Sequence, residues 1–105
     1  MAGNDHDVVI FPKGSDCTVE PAHLAVNEDD FITFFAIGTD ITLFFPEPDI
    51  FNPRQVDPVR IKSGKNKKLK IKASAQRGVH SYGVHCEETS SFALGNSDPD
   101  IIIYG

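Results

Sequence analysis

Tryptophan is absent, methionine occurs once and cysteine twice in 105 residues, and each scarcity closes off a class of protein. Two cysteines are too few for a small disulfide-dense scaffold. With no Cys-x-x-Cys pair, neither a zinc ribbon nor a thioredoxin-like redox motif is present. They leave open one disulfide or two thiols. The Gly-x-Ser-x-Gly turn of a serine hydrolase is also missing. Basic residues number 10 against 15 acidic ones, a net charge of −5, so the electrostatic footing of a nucleic-acid binder is lacking. This acidic balance favours solubility. No apolar run approaches the roughly 20 residues of a membrane span, the longest being Phe31 to Ile37 and Ile41 to Phe45. The segment Met1 to Asp7 has neither a positive stretch nor an apolar core, so no signal peptide is visible. The expectation is therefore a cytoplasmic protein or one whose leader lies outside this chain, with residues 1–7 flexible.

Hydrophobic residues make up 40% and charged residues 24% of the sequence, enough to support one core and so a single domain over 1–105. The apolar runs are short, rich in Phe, Ile and Val, and bounded by Pro, Gly, Asn and Asp, which reads as about eight strands with no helix beyond ten residues. Val8 to Phe11 opens the series and His23 to Val26 follows. Phe31 to Ile37 and Ile41 to Phe45 flank a hairpin or tight corner at Gly38-Thr39-Asp40. Four prolines, at 46, 48, 53 and 58, exclude a helix or a central strand between Phe45 and Val59. A short strand, Val59 to Lys62, precedes the clearest alternation in the chain, where Leu69, Ile71 and Ala73 face a core and Lys68, Lys70 and Lys72 face water. Val79 to Cys86 reads as one strand, with His80, Tyr82, Val84 and Cys86 on the inner face and His85 outward. Ile101 to Tyr104 ends the series. The fold class expected is an all-β Greek-key sandwich.

Candidate chemistry is sparse. The lysine row reads as a solvated strand face, and Ser90-Ser91 as a polar loop. The acidic residues Glu87, Glu88, Asp98 and Asp100 lack the regular carboxylate spacing of a calcium loop. His6, His23, His80 and His85 read as surface or hydrogen-bonded side chains. An inward thiol at Cys86 reads as a small core residue. No catalytic residue is assigned, and the protein is expected not to be an enzyme.

Tyr82-Gly83-Val84-His85-Cys86, a following loop and Ile101-Ile102-Ile103 together resemble the end of a cupredoxin. The likeness extends back through Glu20-Pro21, the acidic turn Glu28-Asp29-Asp30 into Phe31-Ile32-Thr33-Phe34, and Ser63-Gly64 ahead of the lysine-flanked strand. It implies a blue-copper site of two imidazoles, one thiolate and a weak axial ligand. This chain has Asp40 where the first histidine falls, no histidine between Glu87 and Leu94, and Leu94 near the axial position. Of the family's ligands only Cys86 remains. The resemblance therefore implies a copper-free binding or structural module with no cofactor. The alternative is an electron-transfer protein holding copper through Cys86 and unconventional ligands. A copper-chaperone role would want a methionine-rich or histidine-rich face, and Met1 is the only methionine.

In the family the loop after the first strand borders the copper end. Here that loop is Lys13 to Val19, so the resemblance places Cys17 and Cys86 at one pole, where a disulfide would stand in place of copper. It also implies an extracytoplasmic setting. A protein partner, if any, is expected on the long connections Phe45 to Val59 and Cys86 to Pro99, with Ile50 and Phe51 as apolar contacts unless they cap the core.

Overall fold

The computed structural model describes residues 3–55, 58–88, 91–92 and 99–104. These form strands β1 (Asp5–Lys13), β2 (Asp16–Glu20), β3 (His23–Val26), β4 (Phe31–Ala36), β5 (Ile41–Phe44), β6 (Val59–Ile61), β7 (Asn66–Lys70), β8 (Gly78–Ser81), β9 (Gly83–Cys86), β10 (Ser91–Phe92) and β11 (Asp100–Ile103), with one 3-10 turn at Pro48–Ile50. No helix among them is long and apolar enough to cross a membrane.

One layer of the sandwich has the order β2-β1-β4-β7, and the other is built from β10-β9-β5-β6 and β3-β11-β8. Two pairs are parallel, β1 with β4 and β11 with β3. Parallel neighbours require crossover connections, which gives the Greek-key wiring. The alternation of Ile32, Phe34 and Ala36 inward on β4 and of Val8 and Ile10 on β1 fills the space between layers with apolar side chains. Phe34, Phe45, Phe51 and Tyr82 cluster there, with Phe45 and Phe51 ring centroids 4.6 Å apart and those of Phe34 and Tyr82 5.8 Å apart.

Several expectations need correction. Residues 5–7, expected as part of a loose terminus, lie in β1 and pair with Phe31 to Thr33 along β4. Cys17 does not lie in a loop. Gly14 accepts a positive φ of 65°, so a two-residue turn suffices and the chain returns at once as β2, pairing Pro12 with Cys17. The lysine strand ends at Lys70 with an isolated bridge at Ile71. Ala73 is therefore exposed, and Ala75 is buried in its stead. The strand expected over 79–86 is divided at Tyr82 between two sheets, its halves being β8 and β9. With this division, and with β2 and β10 added, the described residues form eleven strands where about eight were expected. Gly38-Thr39-Asp40 is a corner rather than a hairpin, since β4 and β5 belong to different layers.

The lysines do face water. Lys68 Nζ lies 3.3 Å from Asp5 and 4.5 Å from the Phe31 ring centroid, and Lys70 Nζ 3.8 Å from Asp29. Below this face, buried Asp30 ties the start of β1 to the turn before β4. Its carboxylate accepts the N–H of Asn4 at 2.9 Å and of Asn27 at 2.9 Å, and meets His6 Nε2 at 2.8 Å. Burial pushes the carboxyl up, but the Asn27 N–H, the His6 ring and the Asn4 N–H together outweigh it and hold the Asp30 pKa below its ordinary value.

Candidate functional site

The pole that the resemblance singles out is built from the 37–40 corner and the end of β9. Strand alternation turns Cys86 inward from β9 and Cys17 inward from β2, and both are fully buried. Their Cα atoms are 5.6 Å apart and the two sulfurs are joined in a disulfide, well inside the separation a bridge tolerates. It links the two layers.

Beside it, Asp40 and Thr39 serve the backbone. Asp40 Oδ1 accepts the Ser63 N–H at 2.9 Å, and its carbonyl accepts the Glu87 N–H and the Thr39 hydroxyl, each at 2.9 Å. Buried Thr39 in turn accepts the Glu88 N–H at 2.8 Å. The corner is thereby stitched both to the turn before β7 and to the end of β9. Nothing in the sequence marked Thr39; its role comes from a contact with a residue 49 positions away.

A copper ion asks for two imidazoles and a free thiolate, and these residues do not fit it. The Cys86 sulfur is bonded to Cys17, and the Asp40 carboxylate is engaged by Ser63. His85 leaves β9 on the side opposite Cys86 and places Nδ1 3.3 Å from Glu87. The other histidines are elsewhere: His6 on Asp30, His23 with Nδ1 2.9 Å from Asp100, and His80 between Glu47 and Gln76. Among the described residues no three His, Cys, Asp or Glu side chains converge in a way that would hold a metal. The acidic set Glu87, Glu88, Asp98 and Asp100 is not assembled either. Asp100 faces His23, and Asp98 lies outside the described residues.

The two long connections have separate fates. Ile50 and Phe51, considered as partner contacts, are buried in the core and unavailable to a partner. Much of the connection after Cys86, at 89–90 and 93–98, lies outside the described residues. The connection after Phe44 borders a polar cleft of about 620 Å³, lined by residues of 46–50, Arg54, 72, 74–77, Val79 and His80. His80 is almost wholly buried beneath it, its Nδ1 bonded to Glu47 and its Nε2 donating to the Gln76 carbonyl at 2.7 Å.

This architecture is cupredoxin-like. A pseudoazurin from Sinorhizobium meliloti superposes with a TM-score of 0.59 at 16% identity, covering 97% of this chain and 75% of its own. A reduced amicyanin variant superposes with a TM-score of 0.55 at 13% identity, covering 93% and 82%. A pseudoazurin from Hyphomicrobium denitrificans gives 0.53 at 14% identity, covering 94% and 74%. At such identities the likeness is one of fold. No protein-family profile matches the chain, and no curated protein matches it.

Proposed function

We propose that this protein is a non-enzymatic, copper-free cupredoxin-like module in which a disulfide takes the place of the metal, and whose rigid sandwich serves to present a binding surface. The observation that carries this reading is the state of Cys86, the one residue matching a family copper ligand. Its sulfur is bonded to Cys17, and Asp40, at the family's histidine position, is held by the Ser63 N–H. A disulfide between layers supplies what a metal bound at one pole would supply structurally, a covalent tie across the core. Disulfides persist in oxidising compartments, which favours an extracytoplasmic setting. Function in such a fold resides in the site grafted on it rather than in the scaffold.

The test is a copper titration of the protein, oxidised and after reduction, followed by visible absorption. The expected result is no intense thiolate-to-copper band in either state. An intense blue colour that vanishes in Cys86→Ser would overturn the reading in favour of copper-based electron transfer.

A further inference from the structure

β5 pairs with β9 so that Ile41 stands opposite Cys86, Leu43 opposite Val84 and Phe44 opposite Gly83. Continued in that register, β5 would set Pro46 against Ser81 and Pro48 against Val79. Backbone groups alternate sides along a strand. Since the Tyr82 N–H donates to Pro99 on the β11 side at 2.9 Å, Gly78 and His80 also face β11, while Val79 and Ser81 face the line β5 would have taken. Proline has no N–H to complete such a ladder. Both prolines fall at positions where the ladder needs donors, and the chain leaves instead into the Pro48–Ile50 turn. The sheet splits there, and the cleft above His80 is the gap.

The edge this leaves on β8 is open. No described residue bonds the outward backbone groups of Val79 and Ser81, and the Val79 side chain is 61% exposed. The charges along the cleft are uneven. Glu47 is held by His80 and Asp49 by Arg54, whereas Lys72 and Arg77 line the same cleft with no anionic partner among the described residues. On a protein of net charge −5, this is a local excess of unpaired positive charge beside unpaired strand hydrogen-bonding groups.

We propose that this cleft docks an extended, acidic segment of a partner protein, which adds to the β8 edge and sets a carboxylate against Lys72 and Arg77. Strand addition takes affinity from the main chain and specificity from alternate side chains. A charge-assisted contact at one such side chain selects acidic sequences. The inference rests on the reading of the protein as a binding module and supplies the chemistry of its partner.

The experiment uses fluorescence anisotropy with a labelled seven-residue peptide of alternating valine and glutamate, its valine–lysine counterpart, and glutarate as competitor. The expected result is saturable binding of the glutamate peptide alone, weakened at least about tenfold in a K72E/R77E variant, with slowed amide hydrogen exchange at Val79 and Ser81. No binding of the glutamate peptide, equal binding of both peptides, undiminished binding by the variant, or amide shifts confined to 66–70 would overturn it. Full displacement by glutarate at the peptide's own affinity would also overturn it, revealing a simple anion site. Failure here leaves the copper titration untouched, and blue copper there would leave this cleft untouched, so the two readings fall separately.

Discussion

Reducing the Cys17–Cys86 bond should remove a large share of the protein's stability. The cysteines are 69 residues apart in sequence, so the bond closes a loop of roughly 70 residues in the unfolded chain. The chain-entropy relation assigns such a loop a loss of about 15 cal/mol/K, or about 4 kcal/mol at 25 °C. Domains of this size have a total stability of about 5 to 15 kcal/mol. With an unfolding entropy of about 0.2 kcal/mol/K for a chain of this length, the midpoint should fall by roughly 20 °C. The cleanest comparison is the same chain oxidised and reduced, because Cys→Ala at two fully buried positions would add cavity costs of its own. Urea melts with and without a dithiol reductant, followed by circular dichroism, give the difference directly. The urea slope should be larger for the reduced chain, whose unfolded state is less compact. A reduced protein whose midpoint and slope match the oxidised one would refute the argument, since the tie would then constrain nothing in the unfolded ensemble.

Other substitutions probe separate links. Asp30→Ala strands the N–H groups of Asn4 and Asn27 and should cost about 3 kcal/mol near neutral pH. Because the folded pKa of Asp30 is lowered, its contribution is present above the unfolded value of about 3.9 and is lost as pH falls through the lower folded value. Urea melts from about pH 5 to about pH 2 should show a fall for the parent that the variant lacks at this site. Tyr82→Phe removes a buried hydroxyl that has no hydrogen-bond partner among the described residues, so stability should be unchanged or higher. Burial and the Asp100 charge push the Tyr82 phenol well up, so at about pH 11 the ultraviolet absorption of the parent and of Tyr82→Phe should show the same phenolate signal. Gly3→Ala would bring a Cβ within 2.1 Å of the Asp29 carbonyl oxygen. The backbone must move, which should speed amide exchange at Phe31, bonded to the Asn4 carbonyl at 2.9 Å, and cost about 1 to 2 kcal/mol in a urea melt.

Much of the fold was legible from period and punctuation. Alternation along Lys68 to Ala73 assigns inward and outward residues because a strand turns successive side chains to opposite faces, and the structure keeps those assignments as far as Ile71. The alternation also carried the reading two residues too far. Ala73 continues the apolar period, yet the chain turns after Ile71, with Lys72 bonded to the Ile50 carbonyl at 2.8 Å, a long-range contact that local pattern does not contain. The Lys13 to Val19 segment failed differently. Gly14-Ser15 is a sufficient two-residue turn, but Asp16 and Thr18 gave β2 too little apolar character to stand out.

The candidate pole and the cleft divide along the same line. That no histidine stands at position 40 or between Glu87 and Leu94, where the resemblance places copper ligands, is a property of residue identity that the sequence alone displays. The strand-rich character, the acidic charge and the proline-rich break after Phe45 are likewise properties of composition and order. Only the tertiary structure decides that Cys17 and Cys86 meet, that Thr39 takes the Glu88 N–H just past β9, and that β5 stops pairing after Phe44. Each depends on which strands become neighbours and in what register. Pairing across tens of residues is chosen by the packing of the whole core against the entropy of closing long loops, a balance that no local window of sequence contains.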